Sequence, residues 1–98
     1  GSGPAFLFLI AEALIDAGVL NGLSRAASEA LVSQLFLGSA AMLSQRGNPA
    51  QLRAMVTSPG GTTAAGLKVL EDLAVRAAMQ SAVVAATERS RELGRPAQ

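Results

Sequence analysis

The sequence predicts an all-α fold, a compact helical domain of about five helices, and three observations carry that prediction. Half of the 98 residues are apolar while only 3% are aromatic, because twenty Ala and fourteen Leu fill most of the apolar share. Small apolar side chains let helices approach closely. Helix start and stop signals recur along the chain, and only Val56 to Thr63 forms a long stretch without helical character. The length leaves room for one domain, residues 1–98, burying roughly two-thirds of the surface its unfolded chain exposes. So much apolar surface on so short a chain is hard to hide in a monomer, so an oligomer is expected.

The first helix is expected from Pro4 to Leu20, with Pro4 at the first helical position. Ala5 to Ala11 is an unbroken apolar run, followed by Glu12 and Asp16. A secretory signal would carry a positive charge ahead of the run, and a membrane span needs about twenty apolar residues, so a core helix buried on several sides is expected. Glu12 and Asp16 share a helix face, and with no His or third carboxylate nearby a solvated face is the better reading than an acid–base or metal pair. Asn21-Gly22 ends the helix and Ser24 caps the next, Arg25 to about Arg46. There Ala27, Leu31, Leu35, Gly38 and Met42 form a stripe expected to face a core or a dimer partner. Gly47 stops that helix. Asn48, Pro49 and Gln51 then open a short one that ends near Met55. Ala64 to Leu73 and Val75 to Leu93 are helical, and Asp72-Leu73-Ala74 is a weak break that leaves one helix or two open. Gly94 and Pro96 are expected to end the last helix, with Arg89 and Arg91 complementing its negative end.

Composition excludes several chemistries. The chain has no His, Cys, Trp or Tyr, so Ser-His-Asp, Cys-His, zinc–thiolate and haem–histidine sites are out, and no metal site is expected. A net charge of +1 points to neither nucleic acid nor an anionic membrane as partner. The lack of Cys fits a reducing compartment.

Chemistry is expected in Ser58-Pro59-Gly60-Gly61-Thr62-Thr63. Adjacent glycines reach backbone conformations closed to other residues, and they stand just before a helix start, where unpaired N–H groups and the macrodipole favour an anion. Ser58, Thr62 and Thr63 add hydroxyls. The plainer alternative is a turn in which Thr62 or Thr63 merely caps the helix. The stretch lacks the P-loop pattern, and the initial Gly1-Ser2-Gly3-Pro4-Ala5-Phe6 lacks the third glycine of a dinucleotide fingerprint and follows no strand, so no cofactor loop is expected. A small carboxylate held by backbone amides is the best ligand class.

Gly1-Ser2-Gly3-Pro4-Ala5-Phe6, Glu12 to Val19, Val56 to Thr63, Leu67 to Glu71 and Glu88 to Leu93 together resemble the C-terminal dimerisation domain of pyrroline-5-carboxylate reductase. The resemblance covers essentially the whole chain. It implies an all-α domain interleaved with its twin in a homodimer, with dimers often assembling further, commonly into decamers. It implies an NADP(H)-dependent oxidoreductase of proline biosynthesis, cytoplasmic, reducing 1-pyrroline-5-carboxylate to L-proline. The cofactor would sit on an N-terminal Rossmann domain that this chain lacks, so no cofactor-binding residue is expected here and the 98 residues alone should be inactive. The resemblance also assigns roles. Backbone around Ser58, Pro59, Gly60, Gly61 and Thr62 would hold the substrate carboxylate, Val56 would line the pocket, and the catalytic Thr63 hydroxyl would bond the ring nitrogen. Two features depart from the family: relatives often carry Gly-Gly where this chain has Asp72-Leu73-Ala74, and some carry an acid near Arg46. The alternative is a non-catalytic, self-associating helical module.

Overall fold

The structure, a computed structural model, describes residues 2–94. Five helices follow in order: α1 Ser2–Leu20, α2 Arg25–Arg46, α3 Pro49–Met55, α4 Thr62–Asp72 and α5 Val75–Gly94. There is no strand among the described residues. The chain divides into two units, Gly1–Leu52 and Arg53–Gln98.

The first unit is built on a hairpin of α1 and α2. The Asn21 N–H donates back to Ala17, Gly22 takes φ 104°, and Ser24 caps α2 by accepting from the Ala27 N–H at 3.1 Å. The helices close most tightly where Gly18 faces Ser28. A Cβ on Gly18 would collide with the Ser28 hydroxyl, so only glycine permits this approach. Ser28 is 1% exposed, and its hydroxyl donates to the Ile15 carbonyl of the facing helix at 2.8 Å. Val32, 8% exposed, follows one turn along. The same end is pinned outside by Arg25, which reaches Asp16 at 3.2 Å and Glu29 at 3.7 Å. Asp16 thus lies on a solvated face, and its carboxylate is tied up in an ion pair.

Within this unit the α2 face turned to α1 is Ser28, Val32 and half-buried Phe36, whereas Leu31, Leu35 and Met42 of the expected stripe are exposed, which leaves a dimer partner, of the two roles expected for the stripe, rather than the core of a single chain. The inward face pivots on a polar residue chosen for its size, which an apolar count passes over. One expectation fails here, since α1 is not buried on several sides: Phe8 and Leu9 are each 67% exposed. One neighbouring helix covers one face, and the rest of an all-round apolar helix stays open. An open apolar groove of about 410 Å³ runs past Leu7, Leu14, Leu35, Phe36, Ala40 and Leu43. By length and composition alone, α1 and α2 are each able to cross a membrane, since α1 carries only two charges over 19 residues. A helix that buries itself against protein passes the same test.

Gly47, at φ 77°, stops α2, its N–H donating to Leu43. Asn48 then accepts from the Gln51 N–H at 3.0 Å and opens α3 with Pro49 at its first position. In the second unit α4 and α5 are separate helices. Ala74 takes φ 58° between them, the left-handed conformation that glycine adopts without strain. The Arg76–Glu71 pair at 2.8 Å crosses this corner, and the Glu71 carboxylate holds the exposed guanidinium's pKa above its ordinary value. Gly94 is the last described residue of α5, and the expected stop at Pro96 falls outside the described residues. Arg91 stands in the last turn of α5, and Arg89 pairs with Glu92 at 2.8 Å.

Candidate functional site

Of the residues singled out for chemistry, Val56, Ser58, Pro59, Gly60 and Gly61 lie on the connection between α3 and α4 and Thr62 and Thr63 open α4, all within the second unit. Ser58-Pro59-Gly60-Gly61 forms a reverse turn closed by the Gly61 N–H donating to the Ser58 carbonyl at 3.2 Å. Pro59 fits the second position of such a turn, and Gly60, at φ 68°, fits a third position that demands positive φ. Gly61 is favoured for a different reason. Its backbone is extended, but a Cβ there would press on the Ser58 hydroxyl at 2.5 Å. Packing thus explains one glycine and backbone conformation the other.

Gly61 is the N-cap of α4, and no side chain caps this end. The helix begins at Thr62, two residues ahead of the expected Ala64, so Thr62 and Thr63 are its first two residues and neither acts as a cap. The first intrahelical bond is the Ala65 N–H donating to Gly61, which leaves the N–H groups of Thr62, Thr63 and Ala64 without an intrahelical acceptor. Both threonine side chains are exposed beside them. Gly61 itself is half-buried with its N–H committed to the turn, so it shapes the nest rather than donating into it. Val56, Ser58, Pro59 and Gly60 are exposed around the same turn. The arrangement suits a small anion held by amides with hydroxyls alongside.

One residue here was missed by sequence reasoning. Thr57 is half-buried, its N–H donates to Ala54 at 3.2 Å, and its hydroxyl donates to the Arg53 carbonyl at 2.5 Å. The only signal was its place directly after a helix end, where a threonine can bond backward to a free carbonyl.

Among the described residues no three His, Cys, Asp or Glu come together. The glycine turn follows a helix, so the strand–turn–helix unit that cradles a pyrophosphate is not formed by the described residues.

Comparison with known proteins identifies the family of the fold. Residues 1–93 match the family model described as pyrroline-5-carboxylate reductase dimerisation. The chain is 48% identical over 96 residues to the pyrroline-5-carboxylate reductase of Methanosarcina acetivorans, covering 97% of the chain and 36% of that relative. It is 54% identical over 94 residues to that of Glycine max, covering 95% and 34%. Among solved structures, the Plasmodium falciparum pyrroline carboxylate reductase with NADP bound superposes with a TM-score of 0.92 at 46% identity, over 97% of this chain and 37% of that one. The Coxiella burnetii pyrroline-5-carboxylate reductase gives 0.93 at 44%, over 98% and 36%. The chain therefore spans about a third of the length of the relatives it matches. With near-complete coverage by the family model, and with solved relatives superposing at TM-scores of 0.92 and 0.93, the chain belongs to the pyrroline-5-carboxylate reductase dimerisation family.

Proposed function

We propose that residues 1–98 act as one dimerisation and substrate-binding domain of an NAD(P)H-dependent pyrroline-5-carboxylate reductase, which forms L-proline from 1-pyrroline-5-carboxylate. The observation that carries the substrate role is the uncapped N-terminus of α4, with Thr62 and Thr63 as its first two residues behind the Ser58–Gly61 turn. In this reading the substrate carboxylate accepts from the backbone N–H groups at the start of α4, where the helix dipole adds partial positive charge. The Thr63 hydroxyl hydrogen-bonds the ring nitrogen and helps deliver its proton, while Val56 lines the pocket. Carboxylate and ring nitrogen, fixed at two points, aim one face of the imine carbon outward. The reduced nicotinamide supplies the hydride when bound, and residues beyond these 98 hold it. The apolar faces of α1 and α2 are covered by a second protomer rather than by lipid, and dimers assemble further, as far as a decamer. A cytoplasmic location fits a chain without cysteine.

The test is NADPH oxidation with 1-pyrroline-5-carboxylate by the complete polypeptide that carries these residues. Thr63→Ala should lower turnover roughly a hundredfold while the oligomer survives. The 98 residues alone should show no turnover. A folded, oligomeric complete protein without activity would leave a self-associating helical module in place of the enzyme.

A further inference from the structure

We propose that Thr57 is a positioning residue for the substrate turn, holding it in register with the end of α3. The inference rests on the reading of that turn as the carboxylate site. Helix α3 ends at Met55, and its last carbonyls need partners. Thr57 supplies two of them. Its N–H takes the Ala54 carbonyl, and its hydroxyl takes the Arg53 carbonyl four residues back. The next residue, Ser58, carries the carbonyl that closes the turn onto Gly61 and the side chain over which Gly61 is packed. Gly61 in turn caps α4 and sets where the Thr62 and Thr63 N–H groups point. A single side-chain hydrogen bond thus fixes the start of a short chain of contacts that ends at the proposed anion donors. Thr57 is half-buried whereas Val56, Ser58, Pro59 and Gly60 around it are exposed, as expected for an anchor at the base of a presented loop.

The group touches no substrate, so its effect should fall on substrate affinity. Thr57→Val keeps the shape and removes the donor. In the complete reductase polypeptide it should raise KM for 1-pyrroline-5-carboxylate about tenfold, leaving KM for NADPH and kcat within twofold of wild type. Thr57→Ser restores the hydroxyl and should return KM to within twofold of wild type. Circular dichroism and oligomeric state should be unchanged in both. Thr63→Ala, run alongside, separates the two ideas. If Thr63→Ala retains full activity and an unchanged KM for 1-pyrroline-5-carboxylate, the substrate is not seated against this turn, the site reading under the proposed function fails, and the Thr57 proposal fails with it. If Thr63→Ala loses activity while Thr57→Val keeps the wild-type KM, or Thr57→Ser matches Thr57→Val, the proposal alone is overturned.

Discussion

Gly18 and Ser28 decide how closely α1 and α2 approach, and both are legible only in part from sequence. The turn signals around them announce a hairpin, but nothing in a polar Ser within an Ala/Leu helix marks it as the most buried residue described. Its hydroxyl is affordable inside because the Ile15 carbonyl accepts it. Gly18→Ala should destabilise the hairpin by about 1–3 kcal/mol through overpacking, measured as a lower urea midpoint of the self-associated chain. Gly18→Ala with Ser28→Gly should recover most of the loss, since it removes the colliding atoms. An unchanged midpoint for Gly18→Ala would show that the helices separate freely. Ala74 is the opposite case, an alanine where glycine would be at ease. Ala74→Gly relieves left-handed strain of about 1–2 kcal/mol and adds unfolded-chain entropy of smaller size, so it should raise stability by roughly 0.5 kcal/mol. A lower denaturation midpoint for Ala74→Gly would contradict that account.

At the scale of elements, starts and stops were the most legible feature. The Ser24 cap, the left-handed Gly47 and the Asn48–Pro49 opening all rest on local chemistry that a sequence displays directly. The α4 start was misplaced by two residues because Thr62 and Thr63 suit both a cap and a first turn, and only the extended Gly61 backbone decides between them. The α4–α5 break is not decided by sequence because neither Leu73 nor Ala74 is a breaker, and the positive φ of Ala74 comes from context. The candidate turn was legible in its residues, through two adjacent glycines before a helix. Its internal division of labour was not, since which N–H closes the turn and which remain available depends on geometry. The groove between α1 and α2 belongs to this scale too. Leu35→Glu places a charge in it, and should shift the chain toward monomer in sedimentation velocity while retaining helical circular dichroism if α1 and α2 bury that groove against another protomer. An unchanged oligomer would move the interface elsewhere.

For the whole molecule, the decisive quantity is how little of it is inside. Val32 is the only buried apolar residue among those described, while Phe8, Leu9, Leu20, Leu37 and Leu73 are each more than half exposed. A chain with that balance is expected to complete its interior with a second copy, in keeping with its membership of a dimerisation family. Light scattering at micromolar concentration should report a dimer or larger species, and a monodisperse monomer would contradict it. Liposome flotation distinguishes the other reading of α1 and α2, and co-flotation without detergent would favour lipid over protein as the cover.

The scarcity of interior also governs how the chain comes into being. If the second protomer supplies the missing interior, acquiring a native structure is a second-order event whose half-time shortens with synthesis rate. The melting temperature then climbs with concentration, as mass action requires. Until partners meet, each newly made copy presents α1 as an adhesive surface, and its fate turns on whether a sister chain or a chaperone arrives first.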